Sequence, residues 1–434
     1  MRDFPVAVVG AGPVGLAAAA ELTERGLRPL VLERAEHAGA AVTEWRHVRL
    51  FSRWEEVLAP AARRLLEAQD WPPPEADSYP TGGEWVERYL RPLAAALGDR
   101  VRFGVTVTGV ARRGRNRVVD AGRDAEPLTV HVRTASGGEE RVTASAVIDT
   151  SGTWGNPNPL GADGLPALGE RAAARRITYR IPDLTDPAVR QRYAGGHVVV
   201  AGSGHSALTA LASFDELAAH QTGTRITWLL RRAQIGDAFG GGQHDQLPAR
   251  GALGQRVRAA VEAGRLTVTT GFRTEAVERD AHQRLVLVSE TGERIEAVDE
   301  AVVLTGFRPE LSWLSELRLN LDTTLQAPVA LAPLIDPNVH SCGTVYPHGA
   351  AELSHPEPKV FLAGMKSYGR APTFLAMTGY EQVRSIAAAL AGDHTAAERV
   401  ELVLPETGVC GGSGVLESSV ERAEGSCCDV SAVP

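Results

Sequence analysis

Thiols and lysines are scarce in this chain. Its 434 residues include four cysteines and three methionines, and Lys359 and Lys366 are the only lysines. Cys342 is the only cysteine before residue 410, so the first 341 residues hold no pair of thiols for a dithiol relay. Positive charge is almost entirely arginine, which says more about coding bias than about function. The formal net charge of -8 argues against a nucleic-acid partner on electrostatic grounds. Long hydrophobic runs are also missing. The charge-free stretch from Phe4 to Ala20 is shorter than the ~20 residues a membrane span needs, and Pro13 and three glycines interrupt it. The expectation is a soluble, cytoplasmic protein with no membrane partner. The length is enough for about three domains' worth of chain and a large core.

What the chain does have is a dinucleotide-binding fingerprint, twice. The first copy is Gly10-Ala11-Gly12-Pro13-Val14-Gly15, after the apolar run Val6-Ala7-Val8-Val9. One Gly-x-Gly-x-x-Gly is a weak signal, but two copies, each between a strand-like run and an Ala/Leu-rich helical segment, are hard to obtain by chance. Gly10 permits the tight turn, Gly12 admits a pyrophosphate close to the backbone, and Gly15 lets the following helix pack on the sheet. The helix N-terminus then holds the phosphates. The next strand, Pro29 to Leu32, ends at Glu33. A carboxylate there accepts hydrogen bonds from a ribose 2′-OH and repels a 2′-phosphate. This copy predicts an FAD or NAD site.

The second copy is Gly202-Ser203-Gly204-His205-Ser206-Ala207, after His197 to Ala201. Ala207 replaces the third glycine, a variant that fits a slightly wider spacing of helix and strand. Its next strand, Arg225 to Leu230, ends at Arg231-Arg232. Two guanidiniums stand where the first copy has Glu33, and arginine there suits the 2′-phosphate of NADP by charge and bidentate hydrogen bonding. A solvated basic strand end is the plainer alternative.

The fold expected is α/β, with two Rossmann-like domains and the NADPH domain inserted into the FAD domain. The boundaries read as 1–164 for the first part of the FAD domain and 165–305 for the NADPH domain. The FAD domain then returns over 306–400, and 401–434 is a flexible, cysteine-bearing tail. Val101 to Val110 and Leu128 to Arg133 read as strands. Ala146 to Gly152 is a buried return strand, with a near copy at Ala301 to Pro309. Val360 to Gly364 is one more apolar strand, followed by a helix from about Thr378 to Leu390. The Gly240 to Asp245 loop reads as plain surface loop, with a mobile lid as the sharper alternative.

This order of segments resembles the class B flavin-dependent monooxygenases, from residue 4 to about 392. More narrowly, Gly241-Gly242, Leu247 to Gly251 and Lys366 to Phe374 are similar to flavin-binding monooxygenases of bacterial arsenic-resistance operons. The resemblance implies FAD at Gly10, Gly12, Pro13, Val14, Gly15 and Glu33, with Gly39 to Trp45 running along the flavin. It places Val107 at the adenine, Gly364 and Met365 at the ribityl chain, and the N-terminus of the helix near Thr378 at the pyrimidine ring. It implies NADPH at Gly202, Ser203, Gly204, His205, Ser206, Ala207, Arg231 and Arg232. One departure stands out. The family's Phe-x-Gly-x-x-x-His signature before the second fingerprint is absent, and the region reads Ile177-Thr178-Tyr179-Arg180-Ile181-Pro182.

The implied chemistry is hydride transfer from NADPH to FAD, O₂ activation as a flavin peroxide, and oxygen transfer to a small soft nucleophile. Trivalent arsenic compounds are candidate substrates. The cofactors carry that chemistry and the protein positions and shields them. No Ser/His/Asp triad is evident; His47, Arg49, Ser52 and Lys366 are the candidates near the flavin, with a surface or structural duty the alternative for each. Flavin disulfide reductases need a cysteine pair after the first fingerprint's second strand or in the second domain, and neither is present. Cys410, Cys427 and Cys428 lie in a tail rich in Gly, Ser and Glu. A flexible span of 17 residues has an end-to-end distance of roughly 20–25 Å, so these three sulfurs can meet as soft ligands for a thiophilic metalloid. Incidental thiols in a disordered tail are the alternative. A second enzyme reading is an NADPH-dependent flavoprotein reductase using those thiols. The expected partners are a small-molecule substrate and O₂, and the sequence sets no oligomeric state.

Overall fold

The computed structural model describes residues 4–242, 245, 247–339, 347–372 and 374–402. It opens with β1 (Val6–Val9), α1 (Pro13–Glu24) and β2 (Pro29–Leu32). Then come β3 (Val101–Arg102), β4 (Val105–Arg112), β5 (Leu128–Thr134), β6 (Glu139–Ala144) and β7 (Ala146–Asp149). A second unit starts with β8 (Ile177–Thr178), β9 (His197–Ala201), α2 (His205–His220) and β10 (Arg225–Leu229). It continues through α3 (Pro248–Glu262), β11 (Thr267–Thr269), β12 (Thr274–Arg279), β13 (Leu285–Ser289), β14 (Arg294–Val298) and β15 (Glu300–Val303). Finally β16 (Val360–Leu362) and α4 (Ala376–Ala391) return to the first unit.

Each unit is built the same way. The first has a parallel sheet in the order β16-β7-β1-β2-β3, and the second has β11-β10-β9-β15-β8. β16 pairs with β7, so the second sheet is inserted into the first in chain order. Parallel strands covered on both faces read as continuous apolar runs, as Val198, Val199 and Val200 do, all fully buried. In the first unit Val6 and Val8 pack with the helix side, including α1 and α4, while Ala7 and Val9 face the β4-β5-β6 sheet. In the second, Val198 and Val200 face α2, while Val199 and Ala201 face β13 and β14. The run Ala17 to Ala20 in α1 is fully buried, because small side chains let α1 and α4 lie side by side.

Three details refine the sequence reading. The strand expected over 101–110 is broken at Gly104, whose φ of +65° turns the chain from the parallel sheet into the antiparallel one. The 240–245 segment is not plain surface loop. Asp245 is buried and pairs with Arg250 of α3 at 2.7 Å, and Phe239 packs edge-on against Trp228 with centroids 5.5 Å apart. Asp245 is therefore held on α3, while Gln243 and His244 lie outside the described residues. Sequence reasoning also missed Glu357, which is fully buried between Arg112 (2.6 Å) and Arg123 (2.7 Å). It ties β4 and the segment before β5 to the returning chain. Among the described residues no helix is long and apolar enough to cross a membrane.

Candidate functional site

The first fingerprint forms an open cradle at the C-terminal edge of β1. A Cβ built on Gly15 would lie 1.9 Å from the Gly10 carbonyl oxygen and 2.6 Å from Thr150 Oγ1, so only glycine lets α1 start this close to the strand. A Cβ built on Gly12 meets no described atom within 4 Å, leaving the space a pyrophosphate would fill. Pro13 occupies the first turn of α1, where its missing N–H costs nothing. Glu33 Oε2 accepts from the Ala11 N–H at 2.7 Å and Oε1 from the Ala35 N–H at 2.9 Å. A carboxylate has about four lone-pair sites, so it retains capacity for ribose hydroxyls.

The other expected contacts surround this cradle. β4 begins beside Glu33, since the Val105 N–H donates to the Glu33 carbonyl at 2.8 Å, and Val107 lies two residues on, before a register shift. Val14 fills the gap to the returning chain: a Cβ on Gly364 would meet its side chain at 3.2 Å, and one on Gly379 at 2.6 Å. The Gly364 N–H donates to Gln382 Oε1 at 2.7 Å, fastening that turn to α4. Met365 is half-buried in the same turn. Trp45 packs near Trp85, with centroids 6.5 Å apart. The open space at Gly12 and the spare acceptor capacity of Glu33 fit the pyrophosphate and ribose of FAD.

The second cradle repeats the geometry with different chemistry. Gly202 has φ +129°, and a Cβ there would meet the Leu304 carbonyl at 2.3 Å, while Gly204 is open as Gly12 is. Buried Ala207 stands where the first copy has Gly15. Trp228 Nε1 donates to the Gly202 carbonyl at 2.7 Å and fixes the turn. The only sequence signal for it is an aromatic residue in a strand that ends beside the fingerprint. The two arginines diverge. Arg232 Nη2 donates to Ser203 Oγ at 3.2 Å, inside the fingerprint loop, whereas exposed Arg231 donates to the Ala162 carbonyl at 3.0 Å. Exposed Ser206 and half-buried His205 open α2. His205 meets Phe51 of the first unit edge-on, with centroids 5.6 Å apart. Burial, and then Arg250, push its imidazole down to about 4 against the pull of Asp245, so it is neutral at physiological pH.

Three of the side chains expected near the flavin, Lys366, His47 and Arg49, have structural partners. Lys366 is buried, with Nζ 2.8 Å from Asp149 Oδ2 and donating to Ser151 Oγ at 2.9 Å. His47 Nδ1 lies 3.8 Å from Asp183, and burial holds its imidazole below the ordinary value. Arg49 donates to the Tyr79 carbonyl, and Ser52 is half-buried. No group of His, Cys, Asp and Glu among the described residues is arranged to hold a metal. Cys342, Cys410, Cys427 and Cys428 lie outside the described residues.

With two cradles set on two sheets, comparison with known proteins places the chain. A family model described as "Pyridine nucleotide-disulphide oxidoreductase" matches residues 7–331. The chain belongs to that family. This oxidoreductase uses FAD and NADPH. It is 27% identical over 326 residues to a ferredoxin–NADP reductase of Ignicoccus hospitalis, covering 74% of this chain and 82% of the relative. A 105-residue stretch is 41% identical to the indole-3-pyruvate monooxygenase YUCCA1 of rice, 24% of each chain. Among solved structures, the oxidoreductase resembles the bacillithiol disulfide reductase of Bacillus cereus at a TM-score of 0.65 and 19% identity. That match covers 90% of this chain and 99% of the other, and at this identity it concerns the fold alone.

Proposed function

We propose that this oxidoreductase is a flavin monooxygenase that oxygenates a small soft nucleophile, with trivalent arsenic compounds as the substrate class. The observation that carries the reading is the absence of any cysteine before Cys342. No thiol pair stands ahead of Cys342 to take electrons from the flavin, which supports O₂ as the acceptor over a disulfide in either nucleotide-binding unit. The stretch similar to a plant monooxygenase supports it. FAD, when bound, supplies hydride acceptance from NADPH and the activation of O₂; one oxygen atom leaves as water and the other goes to the substrate. Glu33 would hold the ribose of FAD, and the N-terminus of α4 would stabilise negative charge on the reduced ring. Arg232 and Ser203 would hold the 2′-phosphate side of NADPH. Lys366 and Asp149 keep the turns after β7 and β16 together. Cys410, Cys427 and Cys428 would gather the arsenical as soft ligands.

The match to ferredoxin–NADP reductase over three quarters of the chain favours a second reading, an NADPH-dependent flavoprotein reductase; the acceptor we propose for it, from the cysteines of the sequence alone, is a disulfide or thiophilic metal ion served by the tail thiols. Measuring NADPH oxidation with and without O₂, alongside product analysis, separates the two. O₂-dependent turnover that yields oxygenated product supports the monooxygenase. Anaerobic turnover of a disulfide or metal ion replaces it with the reductase.

A further inference from the structure

The chain passes between the two units twice, after β7 and after β15, and the two crossings are zipped together. The Asn158 N–H donates to the Gly306 carbonyl and the Arg308 N–H to the Asn156 carbonyl, both at 2.9 Å. Asn158 Nδ2 also donates to the Thr305 carbonyl at 2.9 Å. Trp154 of the first crossing stacks on Phe307 of the second, with centroids 5.0 Å apart and planes 30° apart. Any rotation of one unit against the other must bend or slide this pair of strands.

One side chain is fitted to that point from outside both crossings. Arg180 follows β8, the edge strand of the second sheet. Its guanidinium carbon lies 4.1 Å from the Trp154 ring centroid and 5.2 Å from that of Phe307. Its Nη2 donates to the Trp154 carbonyl at 2.6 Å. Its Nε reaches Glu44 at 3.4 Å, on the stretch expected to run along the flavin. A planar guanidinium can stack and donate at once, which an ammonium cannot. The same interface carries His47 against Asp183 and Phe51 against His205, so Arg180 lies within a continuous seam between the units.

We propose that Arg180 is a positioning residue for hydride transfer, fixing the NADPH-bearing unit against the flavin-bearing unit by clamping both crossings and Glu44 together. The proposal rests on hydride passing between the two units, and not on what the reduced flavin does afterwards. An ångström of misplacement between reacting groups costs on the order of 100-fold in rate. Loss of the clamp is therefore expected to slow hydride transfer by about 10- to 100-fold while leaving both nucleotides bound.

The test uses the FAD-loaded full chain with Arg180→Gln and Arg180→Lys, mixed anaerobically with NADPH so that oxygen chemistry plays no part. Expected for Arg180→Gln are slower flavin reduction by NADPH, wild-type reduction by dithionite, an unchanged Kd for NADP⁺, and faster amide exchange across 152–160 and 304–310. Arg180→Lys restores only part of the rate. Should Arg180→Gln not fold, Glu44→Gln removes the partner from the opposite unit and is read in the same way. Reduction by NADPH at the wild-type rate overturns the proposal. So does a slower rate that merely tracks lost FAD or NADP⁺ affinity, or one without any change in exchange at the crossings.

Discussion

Arg232→Ala separates a reader of the 2′-phosphate from a bystander. Arg231 and Arg232 follow the same strand, yet their side chains part: Arg232 turns into the fingerprint loop onto Ser203, and exposed Arg231 leans on the Ala162 carbonyl. A hydrogen bond to a charged group contributes about 1.5–3 kcal/mol, and a guanidinium on a phosphate is of that kind. Arg232→Ala should therefore raise the KM for NADPH by about 10- to 150-fold and leave the KM for NADH nearly unchanged. Arg231→Ala should cost much less, because its guanidinium is solvated and points to the 162 loop. The assay is steady-state oxidation of both cofactors by both variants, with flavin content checked first. An equal loss for NADPH and NADH with Arg232→Ala would refute the assignment. A large NADPH-selective loss in Arg231→Ala alone would show that the two arginines have been given each other's roles.

Gly15→Ala should yield protein nearly free of flavin absorbance, because its Cβ would lie 1.9 Å from the Gly10 oxygen and must push α1 away from the strand; full flavin content contradicts this. Glu357→Gln should destabilise the fold by about 3–5 kcal/mol, since it leaves Arg112 and Arg123 buried without a counter-charge; a denaturant melt reads this directly. Burial, and then the charge of Glu24, raise the Glu21 carboxyl from 4.5 to about 7. The folded state thus holds this proton more tightly than the unfolded chain, and stability falls as pH rises from 4.5 through 7. Glu21→Gln should raise the melting temperature at pH 8, by up to roughly 3 kcal/mol of stability, and change little at pH 4; equal effects at both pH values contradict the burial argument.

How much of this was legible in the sequence depended on whether a feature is local. Both cradles were readable because each needs glycines at fixed spacing, a buried strand before them and a charged residue at the next strand's end. The divergence of Arg231 and Arg232 was not readable, since their partners, Ala162 and Ser203, are 69 and 29 residues away in sequence. Glu357 was hidden for the same reason: its partners are more than 230 residues away in sequence, and no periodicity marks a buried ion triad. The 240–245 loop looked like surface because of its glycines. Glycines of α3 instead let it approach this backbone, where a Cβ on Gly251 would meet the Gly242 oxygen at 2.1 Å.

The most direct test of the oxygenase account is isotopic. The FAD-loaded protein is supplied with NADPH, a trivalent arsenical and ¹⁸O₂, and the product is weighed by mass spectrometry. The account predicts one ¹⁸O per product molecule and NADPH consumed in equal amount. Product carrying oxygen only from water, or NADPH oxidised at the same rate without O₂, would contradict it.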